Sequence, residues 1–212
     1  KFGVRTEWVD FTKSASLASI HEHKPAMVWL ESPTNPLLKV IDLEAVCNAA
    51  RSRKVPVVVD NTFATALVQR PLKLGATLSL TSTTKYINGH SDALGGAVST
   101  DDSSWHQKMV FAQKALGLMP SPFDCWLITR GIKTLPLRLK QQIANAAVVA
   151  DHLGCHPAVS WVRYPGRHDH PQQAVALKQM KGGGAIVTIG LDANREQAYA
   201  FCKALRWFTM AE

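Results

Sequence analysis

Val55-Pro56-Val57-Val58-Val59, closed by Asp60, constrains this chain more than any other segment. A β-branched run without polar alternation reads as a strand buried on both faces, and such strands belong to parallel sheets covered by helices. The surroundings agree. A shorter apolar run, Met27-Val28-Trp29-Leu30, stops at Glu31-Ser32-Pro33-Thr34-Asn35-Pro36, where two prolines and an asparagine fix an extended turn. Asp42 then caps a helix predicted over residues 43–53, with Leu43, Val46, Cys47 and Ala50 on one face and Arg51, Arg53 and Lys54 near its carboxyl end. After a short helix near residues 71–74, an apolar strand over 76–80 leads into Thr81-Ser82-Thr83-Thr84-Lys85. Strands alternating with helices give an α/β fold with a mostly parallel sheet. Ligands of such sheets sit at the carboxyl ends of the strands, and the polar segments around Asn35, Asp60 and residues 82–85 all fall there.

From Ser121-Pro122-Phe123-Asp124 onward the pattern is helical through about residue 153, with Gly154 as its C-terminal cap. Residues 159–162 and 184–189 then read as strands separated by a loop rich in Gly, Pro and His. These changes place a domain boundary near Gly131.

Composition narrows the function classes. With 46% hydrophobic and 19% charged residues the chain reads as an ordinary globular protein. No apolar run approaches the roughly 18 residues that would span a bilayer. Twenty-four Lys and Arg against sixteen Asp and Glu give a formal charge of +8, but the basic residues are scattered and no aromatic residues interleave with them. That is the pattern of a solvated surface, compatible with small anionic ligands, rather than of a nucleic-acid interface. Cys47, Cys125, Cys155 and Cys202 form no Cys-x-x-Cys pair, which suggests neither a zinc site nor a disulfide framework and points to isolated buried thiols in the cytoplasm. His152 with His156 and His168 with His170 lack a third ligand, so no metal is expected. Lys181-Gly182-Gly183-Gly184 leads into a strand rather than a helix and is a tight turn, not a phosphate loop.

Lys85 carries the chemistry. A lysine at a ligand-binding strand end can form a Schiff base with an aldehyde if its amine is desolvated or lies near other positive charge. On extended backbone the hydroxyls of Ser82 and Thr84 face one way and Lys85 the other, so two donors can hold a phosphate beside the amine. Asp60, at the end of a buried strand, requires a cationic partner. A protonated pyridine nitrogen is one, and the ion pair makes the ring a better electron sink.

At these residues the sequence resembles a known family. Glu-Ser-Pro-Thr-Asn-Pro (31–36), Val-Val-Asp-Asn-Thr-Phe (58–63) and Ser-Thr-Thr-Lys-Tyr-Ile-Asn-Gly-His-Ser-Asp (82–92) are similar to the signature of the pyridoxal-phosphate enzymes of cysteine and methionine metabolism, the cystathionine γ-synthase group. Pro122-Phe123-Asp124-Cys125-Trp126 with Arg130-Gly131, and Tyr164-Pro165-Gly166 through His170-Pro171, extend the resemblance over nearly the whole chain. It implies the fold type I, aspartate-aminotransferase-like architecture, with helices on both faces of the sheet. Residues 1–131 would be part of the cofactor-binding large domain, and residues 132–212 a linking helix and the start of a smaller α/β C-terminal domain.

The resemblance also implies roles. Lys85 forms the internal aldimine with pyridoxal 5'-phosphate and shuttles protons between substrate carbons. Asp60 meets the pyridine nitrogen, Ser82 and Thr84 the phosphate, and Thr62 the ring. Asn35 lies near the cofactor hydroxyl and the substrate carboxylate. His90 is structural. Other parts of the family's site, a Gly-Met phosphate loop, a ring-stacking tyrosine, a Tyr and Arg from a neighbouring subunit and a carboxylate-binding arginine, have no counterpart here, so the chain is expected to be part of a longer protein.

The implied reaction is loss of the γ-substituent of an amino acid after proton abstraction at the α- and β-carbons. In a γ-synthase, cysteine replaces the substituent of an activated homoserine to give cystathionine. In a cystathionine γ-lyase, or a related methionine γ-lyase or β-lyase, the intermediate breaks down to a ketoacid. Asn88-Gly89-His90-Ser91-Asp92 and the ending Phe208-Thr209-Met210-Ala211-Glu212 are more like γ-synthases and γ-lyases than like β-lyases. The implied partners are small amino-acid substrates and further copies of the chain, as a homotetramer, without nucleic acid or membrane. A basic nucleic-acid-binding module and a catalytically silent scaffold are the rivals from other classes.

Overall fold

A computed structural model describes residues 3–210; Ala211 and Glu212, part of the ending compared above, lie outside the described residues. The strand residues place themselves as their apolar runs dictate. β1 (Val28–Glu31), β2 (Val57–Asp60) and β3 (Leu78–Ser82) are parallel neighbours, and β4 (Gly96–Ser99) closes the order β1-β2-β3-β4 antiparallel to β3. The register sets Glu31 beside Asp60, Asp60 beside Leu80, and Ser82 beside Gly96. The three parallel strands therefore end together.

α1 (Ala18–His23) and α2 (Leu43–Arg51) supply the cover for the sheet. The Asp42 carboxylate accepts the Ala45 amide at 3.0 Å, and Leu43, Val46, Cys47 and Ala50 pack with Ile20, Val28, Leu30, Val57 and Val59. Each fully buried aliphatic side chain contributes about 1.5–3 kcal/mol relative to an exposed one. α2 stops at Arg51 rather than residue 53 because the chain turns there, with Lys54 in the left-handed region at φ 56°. A short helix α3 (Thr65–Val68) and a 3-10 turn (Pro71–Leu74) connect β2 to β3.

β4 and α4 (Ser103–Leu116) were not foreseen. Gly96-Ala97-Val98-Ser99 shows neither alternation nor a β-branched run, and its pairing to β3 is what makes it a strand. α4 had legible ends, Asp102 accepting the Ser104 and Trp105 amides and Gly117 at φ 66°, but no apolar stripe, and it buries no residue.

The long helical stretch is two helices, α5 (Pro122–Ile132) and α6 (Leu135–Gly154). Pro136 in the first turn of α6 lacks an amide to continue α5 and instead begins a new helix. Gly154 ends α6 without acting as a left-handed cap; a β-carbon there would lie 2.7 Å from the Arg167 guanidinium, so its smallness serves a close approach.

β5 (Val159–Arg163) and β6 (Thr188–Leu191) form a separate antiparallel pair against α6, followed by α8 (Arg195–Ala204); α7 (Gln173–Gln179) lies between the strands. Residues 184–187, expected in a strand, stay out of the ladder: Gly182 and Gly184 have φ of 141° and 78°, and the Tyr164 hydroxyl takes the Gly184 carbonyl at 3.1 Å. On both sides of Gly131 residues share one core, in which Val40, Ala64 and Val68 pack with Leu135, Leu139, Ala176 and Met180.

Candidate active site

Three turns at the carboxyl edge of the sheet hold the residues singled out above. After β2 the chain reverses because the Asp60 carboxylate accepts the Thr62 amide at 2.9 Å, while the Asn61 amide continues the sheet onto Leu80 at 2.8 Å. The Thr62 hydroxyl accepts the Ser82 amide at 2.8 Å, which ties the end of β2 to the end of β3. After β1, the Glu31 carboxylate accepts the Asn35 amide at 3.0 Å. Burial pushes the Glu31 carboxyl above its ordinary range, its bond from Asn35 opposes this, and the neighbouring Asp60 charge adds to the rise.

Beneath these turns lies a buried amide network. Gln69 donates to the Ser32 carbonyl at 2.7 Å and to Asn61 Oδ1 at 2.9 Å, and Asn61 donates back to the Gln69 carbonyl at 2.8 Å. Gln179, from α7, donates to Gln69 Oε1 at 2.9 Å and to the Ile41 carbonyl at 2.8 Å, and accepts the Leu43 amide at 3.2 Å. Every amide in it is partnered, which holds the ends of β1 and β2 at fixed separation.

Lys85 itself sits in a π-type turn over Thr83–Ile87, with non-helical dihedrals of φ −85° and ψ −116° at the lysine. The expectation of extended backbone through residues 82–85 therefore fails after Ser82: the turn, not strand alternation, sets the directions of Thr84 and Lys85. Lys85 is exposed and its amine has no hydrogen-bond or ion-pair partner among the described residues, while the Arg138 cation lines the same cleft. Asp60 is half-buried rather than buried and pairs with no cation among the described residues, so its Oδ2 is free. The Ser82 hydroxyl and the Asn35 side-chain amide are likewise uncommitted. The Thr84 hydroxyl accepts the Gly95 amide at 3.0 Å and donates to the Gly95 carbonyl at 3.3 Å, a long bond that a stronger acceptor could displace.

A cleft of about 850 Å³ receives Lys85 and Thr84 together with Tyr86, Asp92, Asp124 and Arg138. Asp60, Thr62, Ser82 and Asn35 are not among the residues that line it. His90 is held structurally, its Nδ1 2.7 Å from the Asn88 carbonyl. Among the described residues no cluster of three metal-ligating side chains exists, and no helix is long and apolar enough to cross a membrane.

Sequence reasoning missed Glu31, Gln69 and Arg138. Arg138 left one trace: Thr134 and Gln142 occupy its helical neighbours, so this cation has no acid one turn away to neutralise it.

The set of free groups fits pyridoxal phosphate: an unpaired amine for an aldehyde, a free carboxylate oxygen for a pyridinium, and an uncommitted hydroxyl for a phosphate. Comparison with known proteins gives the same answer. The sequence model of a family described as Cys/Met metabolism PLP-dependent enzyme matches residues 1–212. Cystathionine gamma-synthase of Mycobacterium tuberculosis is 45% identical over 186 residues, 88% of this chain and 48% of that protein. Cystathionine gamma-lyase of Sus scrofa is 41% identical over 213 residues, 100% of this chain and 53% of that protein. Among solved structures, cystathionine gamma synthase from Xanthomonas oryzae pv. oryzae, in complex with aminoacrylate and cysteine, superposes with a TM-score of 0.93 at 45% identity, over 96% of this chain and 53% of that one. The chain spans about half the length of the curated relatives it matches.

Proposed function

The chain belongs to the Cys/Met-metabolism pyridoxal-phosphate-dependent enzymes, and from that premise we propose that the protein replaces the γ-substituent of an activated homoserine with cysteine, forming cystathionine. The observation that carries the reading is that β2 and β3 end side by side, which puts Asp60 with its free oxygen, Ser82 with its uncommitted hydroxyl and the turn that bears Lys85 at one sheet edge. Pyridoxal phosphate, when bound, supplies an electron sink for negative charge on substrate carbon.

The side chains do the rest. Lys85 would hold the cofactor's aldehyde carbon and, as a free amine, move protons between the α- and β-carbons of the substrate. Asp60 Oδ2 would accept from a protonated pyridine nitrogen, and the Thr62 amide on Oδ1 keeps that carboxylate oriented. Ser82 and Thr84 would donate to the phosphate, Thr84 in place of its long bond to the Gly95 carbonyl. Thr62 would pack against the ring. Asn35 binds the substrate carboxylate, its loop anchored by Glu31. Small amino acids are the substrates. The protein is read as cytoplasmic and as a homotetramer; exposed Phe111, Leu116, Leu118, Met119, Phe123 and Trp126 leave apolar surface that further copies of the chain could cover.

Three measurements on the full-length protein test this. Incubation with pyridoxal phosphate produces a visible band, and borohydride fixes the cofactor to the peptide containing Lys85. Absence of both overturns the enzyme reading in favour of a silent scaffold. Cysteine plus an activated homoserine yields cystathionine. Ketoacid release from cystathionine in place of that synthesis would instead establish the γ-lyase, the second reading, which the similarity to the Sus scrofa enzyme supports.

A further inference from the structure

The turn that carries Lys85 does not close by itself. The Lys85 carbonyl is taken by the Gly89 amide at 2.8 Å and the Thr83 carbonyl by the Asn88 amide at 2.9 Å, but the next carbonyls, of Tyr86 and Ile87, lie at the end of the turn, where backbone donors run out. Arg138 answers both from α6. Its Nη1 donates to the Tyr86 carbonyl at 2.9 Å and its Nη2 to the Ile87 carbonyl at 3.3 Å. The same Nη2 reaches the Gly131 carbonyl at 2.9 Å, and Nε donates to Thr134 Oγ1 at 2.9 Å. One planar group thus joins the lysine turn, the end of α5 and the start of α6.

Two glycines admit this junction. Gly89, at φ +75°, lies against the guanidinium, and a β-carbon there would overlap it. Gly131 lies against the Asn88 carbonyl, which a β-carbon would also overlap. Tyr86 and Ile87 meanwhile pack against the core of Leu135 and Leu139. Arg138 forms no ion pair among the described residues although Asp92 and Asp124 line the same cleft, so its hydrogen bonds go to backbone dipoles and not to a carboxylate.

Resting on the reading of Lys85 as the cofactor-bearing residue, we propose that Arg138 is a positioning residue for Lys85: its guanidinium fixes the turn and hence where the amine is presented in the cleft. It touches no reacting atom. A lysine in its place keeps the charge but cannot reach three carbonyls in a plane.

The test uses the full-length protein with Arg138→Lys and Arg138→Ala, and reads two quantities. Amide hydrogen exchange at residues 87–89 reports the turn whether or not cofactor binds. The rate of borohydride-trappable attachment of pyridoxal phosphate to Lys85 reports the amine. Loss of charge-assisted bonds predicts exchange and attachment rates altered by at least about tenfold, exchange faster and attachment slower, with kcat lowered and substrate KM little changed. Methylguanidinium at millimolar concentration restores attachment in Arg138→Ala, which a merely structural defect would not allow. If Arg138→Ala does not fold, Arg138→Lys carries the comparison. Wild-type exchange and attachment in a folded variant overturn the proposal. Failure of the wild-type protein itself to take cofactor overturns the reading of Lys85, and leaves hydrogen exchange to decide the clamp.

Discussion

His170 shows how a single side chain can be read from its surroundings. It is buried, its Nδ1 accepts the Gln172 amide at 3.1 Å, and its Nε2 therefore carries the hydrogen that it donates to the Leu38 carbonyl at 3.1 Å. Burial depresses its pKa below the ordinary imidazole value of about 6.5; the Leu38 carbonyl opposes this and Arg163 adds to it. Because the folded pKa is the lower one, the unfolded chain binds the proton first. The stabilisation is complete above about pH 6.5 and is lost as pH falls toward the folded value. Urea midpoints for the wild type and His170→Asn between pH 8 and 5.5 check this; a wild-type curve no steeper than the variant's would refute it. Cys47 gives a second case. Burial pushes its thiol up to about 11, with Arg51 pulling it down and Asp42 pushing it up. At pH 8 a disulfide reagent should leave Cys47 untouched until denaturant is added, so Cys47→Ser should not change the thiol count of the native protein. The expectation of uniformly buried thiols does not hold: Cys125 and Cys155 are exposed, because neither sits on a buried face of its element.

Elements here were legible when they carried their own signals. The β-branched run of β2 and the apolar stripe of α2 needed no partner to be recognised. β4 could not be read, since pairing with β3 creates it, and the break between α5 and α6 was hidden inside a continuous helical pattern. Two helical glycines separate the reasons for smallness. A β-carbon at Gly131 would meet backbone, the Asn88 carbonyl, whereas one at Gly154 would meet the movable Arg167 side chain. Gly131→Ala should therefore cost about 1–3 kcal/mol, and Gly154→Ala clearly less, with its gain in helix propensity offsetting some of the strain. Denaturant midpoints of the two variants decide between them, and equal losses would contradict the structure.

At the scale of the whole molecule, Gln179 links α7 to the first strands through Gln69, Ile41 and Leu43. Replacing it by leucine removes a buried partner from all three, at about 1–3 kcal/mol for each group left unsatisfied. The protein should still unfold in a single transition, at a lower midpoint; two separate transitions would mean that the segments on either side of residue 131 fold independently. The sequence by itself determined the parallel strands, the edge at which they end, and the residue types gathered there, because strand burial and turn chemistry are local and leave local signatures. Only the tertiary structure decided how Lys85 is presented. Its turn is closed by an arginine 53 positions away, its neighbouring loops are held by a glutamine from α7, and its exposure depends on what packs beside it. Contacts between residues so far apart in the chain obey no periodicity, so the sequence holds the donors and acceptors but not the pairing.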